Sequence, residues 1–304
     1  MNNLNLRMII ADASKQNTLS DEQKQFFLDN GFLIIKNVLQ NEELRIVQDE
    51  MQVLLEKGMK GTDDSDYQYG KGSKTGANVL RRVEYVVDKS KPLRALMGHP
   101  FIMRSVEKIQ GPSFIPTWDS MVIKMPDEGI IVPWHRDAEL PEGCQDPRPI
   151  FNVDFYLDPA DIKSCLWVIP GSNQWTVADS KARCEKEGFD TSDAIPVPLE
   201  AGDAILHDIT VLHGSPAGDG NALRRTVYFE FRPGEIELEF GPHTPEYLAL
   251  KQQMLMECLD IRKEAEYAKD EEHFEYRPEG KLAVTERVKP ETFRYPHEQY
   301  WIND

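Results

Sequence analysis

The stretch VPWHRDAEL, residues 132–140, sets His135 and Asp137 two positions apart at the end of an apolar run. In an extended backbone, side chains at i and i+2 point to the same face. One imidazole and one carboxylate then share a small volume. The pair alone fits two readings, a structural hydrogen bond or two-thirds of a metal site. A metal needs a third ligand from elsewhere in the chain. Of the seven histidines, only His207 and His213 fall in the strand-rich part after Asp137. His213 closes the run GDAILHDITVLHGS, in which a Gly-Asp turn launches a strand that stops before a small Gly-Ser step. That step leaves room for a metal and a small co-ligand beside the backbone. His207 has the same alternation parity but lies six residues earlier, roughly 20 Å along a continuous strand. Both cannot serve one metal unless the strand breaks between them, so His213 is preferred.

Eleven residues beyond His213 stands Arg224, with Arg225 beside it. A guanidinium fork at the start of a strand grips a carboxylate through two hydrogen bonds. A bulge would exchange Arg224 for Arg225, since neighbours on a strand face opposite ways. Two histidines and one carboxylate on one side of a metal leave three positions open, the signature of non-haem Fe(II) oxygenases. An arginine nearby then has a task, holding the far carboxylate of 2-oxoglutarate. Two other readings stay open. A cupin-like isomerase or epimerase would use the metal as a Lewis acid but gives Arg224 nothing to do. A metal-free small-molecule-binding barrel would leave His135 and Asp137 merely hydrogen-bonded.

These residues need elements to position them. LSDEQKQFFLDNG carries a capping-box pattern, Ser20 with Gln23, and stops at Asn30-Gly31. FLIIKNVL (32–39) reads as a strand, and Asn41 as the cap of a helix with Leu44, Val47, Met51 and Leu54 on one face up to Gly58. Residues 58–78 are rich in glycine and charge and read as a mobile surface loop able to fold over a pocket. Within it, GKGSKT lacks the phosphate-loop pattern, because Gly70-Lys71 is followed by Gly72. From 114 to 235, short alternating runs between Pro, Gly and Asp turns predict a β-sandwich or barrel. In PIFNVDFYLD, Phe151, Val153 and Phe155 are expected inward and Asn152, Asp154 and Tyr156 outward. Trp134 and Trp175 are candidates for the pocket border, as are the loop acids Glu139, Glu142 and Asp146. After Pro242 a long amphipathic helix is predicted, and then an irregular tail from 275 to 304. The organisation expected is one domain over 1–304: a helical part with a leading strand (1–113), the strand-rich core (114–235), and a helix with tail (243–304).

Composition restricts the partners. The net charge of −17 repels phosphate backbones and anionic lipid, so neither nucleic acid nor a membrane is expected. No apolar run approaches the roughly 20 residues that span a bilayer. The N-terminal MNNLNLRMIIADASKQ shows no secretory pattern. Four cysteines lie far apart without C-x-x-C spacing and read as reduced thiols. A cytoplasmic location is expected on these grounds; they leave the oligomeric state open.

Over roughly residues 20–235 the chain resembles the phytanoyl-CoA dioxygenase-like family of Fe(II)/2-oxoglutarate oxygenases. The resemblance is carried by LSDEQKQFFLDNGFLIIKNVLQNEEL, WHRD, CLWVIPGSN, GDAILHDITVLHGS and an arginine eleven residues beyond the last histidine. It implies a mainly β fold with flanking helices around a double-stranded β-helix (jelly-roll, cupin-like) core. It implies His135, Asp137 and His213 as iron ligands, Arg224 as the 2-oxoglutarate anchor, Ser215 as a second contact, and Met121 as lining the cosubstrate pocket. It also implies O2 and a small-molecule substrate, with 2-oxoglutarate converted to succinate and CO2. Halogenating relatives replace the carboxylate ligand by a small residue. Asp137 is retained here, which favours hydroxylation or a related oxidation. The chain departs from the family at Ser164 and Asn173, where relatives often carry Gly and His.

Overall fold

The computed structural model describes residues 6–218 and 222–302. The first five residues of the N-terminal stretch and the last two of the tail lie outside the described residues. A short strand, β1 (Ile10–Asp12), precedes helix α1 (Asp21–Asn30). Ser20 and Gln23 form the reciprocal capping box, and Gly31 ends the helix at φ 77°, a conformation that favours glycine. Strand β2 (Phe32–Lys36) leads to α2 (Asn41–Met59). Asn41 is not the cap: Gln40 is, without a side-chain hydrogen bond, and Asn41 is the first helical residue at φ 47°.

The segment expected to be a mobile loop is largely a hairpin. Strands β3 (Tyr67–Lys71) and β4 (Asn78–Glu84) pair antiparallel at the edge of the main sheet. Buried Tyr67, Leu80 and Val83 hold it there; only the turn between the strands is the Gly- and Lys-rich surface that the composition suggested. The sheet therefore recruits strands from well before residue 114. Helices α3 (Val86–Lys89), α4 (Lys91–Met97) and α5 (Pro100–Gln110) follow.

Strands β5 (Phe114–Lys124), β6 (Val132–His135), β7 (Phe151–Tyr156) and β8 (Leu166–Val168) come next, then α6 (Val177–Cys184) and β9 (Ile195–Val197). Strands β10 (Ala204–Asp208), β11 (His213–Ser215) and β12 (Arg224–Pro233) complete the β structure. They assemble into two sheets. One has the order β1-β2-β10-β7-β12-β5-β4-β3, the other β6-β11-β8-β9. Together they make the jelly-roll core with flanking helices. Helices α7 (Gly234–Phe240) and α8 (Pro245–Glu264) close the chain, and α8 packs on α4 and β5. No described helix is long and apolar enough to cross a membrane.

The large sheet has two chemically different faces, and the expected assignment of β7 is reversed. Phe151, Val153 and Phe155 lie in the same buried apolar cluster as Val227, Phe229 and Phe231 of β12 and the α8 residues Leu248, Met254 and Leu255. Asn152, Asp154 and Tyr156 face the space between the sheets. The period of two is intact, but hydrophobic residues mark the helix-covered side. The interior of the barrel is polar because it is a cavity.

Candidate metal centre

His135 ends β6 and His213 begins β11, and the two are direct cross-strand partners with ring centroids 4.2 Å apart. Each imidazole is oriented by its own backbone. Nδ1 of His135 donates to the Pro133 carbonyl at 2.8 Å, and Nδ1 of His213 to the Val211 carbonyl at 3.0 Å. With those protons on Nδ1, both Nε2 lone pairs are free. They converge on one oxygen: Oδ1 of Asp137 lies 3.5 Å from Nε2 of His135 and 3.6 Å from Nε2 of His213. Ligands about 2.1 Å from a divalent ion and at right angles to one another lie about 3 Å apart, so the three atoms stand slightly open around a common point. Asp137 lies just past β6, where its backbone N–H donates to the Ile209 carbonyl at 2.9 Å.

The other carboxylate oxygen is turned away and tied down. Oδ2 accepts from Nδ2 of Asn152 at 2.8 Å and from Nε2 of His207 at 3.0 Å. Asp137 is hemmed in by protein yet keeps 30 % of its side chain open to the cavity. Burial works against its charge, but His213, His135 and His207 outweigh it and hold the carboxyl well below the usual range. Burial and the neighbouring His135 push His213 down to about 3, so its imidazole is neutral. For His207, burial is overcome by Asp154 and Asp137, which raise it to about 10.

The placement of His207 corrects the distance estimate. The chain does break between the two histidines. Residues 209–212 form a turn in which Thr210 binds Asp208 and Val211 N–H donates to the Asp208 carbonyl at 3.0 Å. Strands β10 and β11 consequently belong to different sheets. The rings of His207 and His213 are 4.7 Å apart rather than separated by a strand's length. His207 stands behind Asp137, with Nδ1 3.2 Å from Oδ2 of Asp154. The small residue after His213 serves packing: a Cβ at Gly214 would meet the Val132 carbonyl and the Phe189 ring at 2.9 Å.

These groups open on a cavity of about 290 Å³. Arg224 and Ser215 line it. Arg224 is 5 % exposed; its Nη1 donates to the Ser164 carbonyl at 2.6 Å, and among the described residues no carboxylate pairs with it. Arg225 points the other way. It makes a two-pronged pair with Asp158 at 2.8 Å and donates to the Gln48 carbonyl, so it is committed to structure.

Several expected site residues lie elsewhere. Met121 faces the helices within the apolar cluster, and its neighbour Val122 lines the cavity. The register pairs Val122 with Thr226 and Met121 with Val227, which fixes the parity. Trp134 stacks on Phe189 in a separate small core, joined by the partly buried Trp175. Glu139 pairs with Arg136 and Asp146 with Arg148; neither these nor Glu142 line the cavity. The walls that sequence reading missed are Arg82, Trp118, Asn152, Asp154, Tyr228 and Glu230. For Asn152, Asp154, Tyr228 and Glu230 the signal was present as polar residues alternating with buried ones on β7 and β12, and on β7 that face was expected to point outward; Arg82 and Trp118 come from β4 and β5. A second cluster, Glu43, His99 and Glu271, lies in another cleft. There Arg262 binds both carboxylates, and the group is an ion-pair network.

A sequence profile of the phytanoyl-CoA dioxygenase (PhyH) family matches residues 27–226. A probable phytanoyl-CoA dioxygenase of Caenorhabditis elegans is 24% identical over 245 residues, covering 69% of this chain and 74% of the relative. Among solved structures, EvdMO1 is 26% identical with a TM-score of 0.58 over 69% of this chain; the match spans 49% of EvdMO1, about half its length. EctD from S. alaskensis with bound Fe shares the fold, with a TM-score of 0.59 and 19% identity over 76% of this chain and 83% of its own. The expectation of a cytoplasmic location is overturned by the relatives: the human phytanoyl-CoA dioxygenase, 21% identical over 246 residues, is peroxisomal, as are those of rat, cow and mouse. Reduced cysteines and the lack of a secretory pattern do not distinguish these compartments. The chain belongs to the phytanoyl-CoA dioxygenase (PhyH) family and is, with it, an Fe(II)- and 2-oxoglutarate-dependent oxidative enzyme.

Proposed function

We propose that His135, Asp137 and His213 hold the Fe(II), that Arg224 with Ser215 binds the far carboxylate of 2-oxoglutarate, and that the reaction is hydroxylation of a small molecule. One observation carries this reading: the two free Nε2 atoms and Oδ1 of Asp137 face a single point on the cavity wall. Two imidazoles and one carboxylate suit a ferrous ion and leave its remaining positions to small ligands. When bound, iron and 2-oxoglutarate supply the oxidising power, the cosubstrate ending as succinate and CO2.

The protein's own residues bind, orient and exclude. Asn152 and His207 occupy Oδ2 of Asp137, so the carboxylate offers one oxygen and does not close over a second position. Arg224 is a buried cation with no acidic partner among the described residues, a costly arrangement unless an anion arrives. The five-carbon diacid supplies that anion, and Ser215 lines the same cavity. A metal-dependent isomerase would leave Arg224 without a task. Retention of Asp137 keeps the third protein ligand in place and favours hydroxylation over halogenation.

Succinate release from 2-oxoglutarate by the iron-loaded protein tests this assignment. The wild type is expected to release succinate, and Asp137→Ala and His213→Ala to lose at least a hundredfold. Full activity in either variant would remove the three residues from the role given to them.

A further inference from the structure

We infer that the C-terminal segment 296–302 backs the substrate cavity and that His297, acting through Trp118, is a positioning residue that sets which molecules this chain accepts; this rests on the proposed function of the same site. The family match ends at residue 226, so this segment belongs to the part of the chain that the family profile does not cover. It reaches the cavity wall nonetheless. Trp118 lines the cavity. The His297 ring stands edge-on to its indole with centroids 4.1 Å apart, and Tyr85 contacts the same indole at 5.8 Å. Arg294, also in the tail, lies 4.9 Å over the Tyr85 ring. Both rings in contact with Trp118 are therefore touched or supplied by the C-terminal part of the chain.

A second line of contacts leads to the same wall. Thr244 N–H donates to the Tyr300 carbonyl at 2.7 Å, and Ile302 N–H to the Pro242 carbonyl at 2.6 Å. Trp301 Nε1 donates to Nε2 of His243 at 3.2 Å. Nδ1 of His243 meets Glu237, which binds Arg232 at 3.0 Å; Arg232 in turn binds Glu230 at 2.8 Å. Glu230 lines the cavity and is the register partner of Trp118. The outer end of the segment is hydrogen-bonded but faces solvent: Trp301 and Ile302 are 46% and 55% exposed. The His297 ring lies against the Trp118 indole, so removing it leaves that wall residue free to shift.

The full chain labelled with 5-fluorotryptophan gives five fluorine resonances, one per tryptophan, and Trp118→Phe assigns the relevant one. His297→Ala is expected to move the Trp118 resonance, and Trp301→Ala to move it less. A Trp118 line unmoved by His297→Ala would overturn the contact whatever the enzyme's activity. Substrate-free succinate release then tests the consequence. His297→Ala and Trp118→Ala are each expected to raise it at least threefold by admitting water, with the double variant no higher than the larger single one. Unchanged or multiplicative effects would overturn the wall role. No succinate from any form, wild type included, would instead count against the proposed function, while the fluorine shift still decides the contact.

Discussion

Nε2 of His207 lies 3.0 Å from Oδ2 of Asp137, on the edge of the carboxylate turned away from His135 and His213. Partners of this kind orient a ligand, and their loss costs about 10–100-fold in metal affinity. His207→Leu should therefore weaken Mn(II) or Fe(II) binding by about that factor, with the secondary structure kept. An unchanged dissociation constant, measured by paramagnetic resonance titration, would show that Asn152 alone suffices.

The two adjacent arginines separate function from stability. Arg224→Leu is expected to raise the KM for 2-oxoglutarate at least tenfold with little change in melting temperature. Arg225→Leu should do the reverse, because it strands Asp158, whose side chain is only 15 % exposed. Breaking a buried pair in this way costs about 3–5 kcal/mol. Denaturant melts and cosubstrate titrations on both variants check the assignment. Swapped phenotypes would mean that the strand register differs.

What was legible in the sequence follows from what is local. The capping box at Ser20, the His-x-Asp pair and the order His213, Arg224 are read directly along the chain. The position of His207 was not, because the turn at 209–212 lies within an apolar run that carries no glycine or proline. The faces of β7 were assigned backwards for a physical reason: alternation tells which residues share a face, not whether the apolar face points into a barrel or onto helices. The hairpin of β3 and β4 was hidden by its composition, since glycine and lysine at its turn outweighed the three apolar residues that fasten it.

Glu84 gives the fold a pH dependence. Its side chain is 5 % exposed, and burial raises its pKa to about 7 despite the opposing effect of Arg82. A carboxyl raised in the folded state favours its protonated form there. Stability from this group is thus full below the unfolded value near 4.5 and falls as pH rises through about 7, by on the order of 3 kcal/mol in all. Glu84→Gln should match the wild type near pH 4 and exceed it at pH 8 in thermal melts. A constant difference between the two across that range would contradict the shift.

The most direct test of the central claim is an anaerobic titration of the metal-free protein with Fe(II) and 2-oxoglutarate, followed in the visible range. The wild type is predicted to develop a metal-to-ligand charge-transfer band only when both are present, and Asp137→Ala to develop none. A wild-type protein that retains no iron and shows no band, or an Asp137→Ala variant with an undiminished one, would contradict the assignment of His135, Asp137 and His213 to the metal.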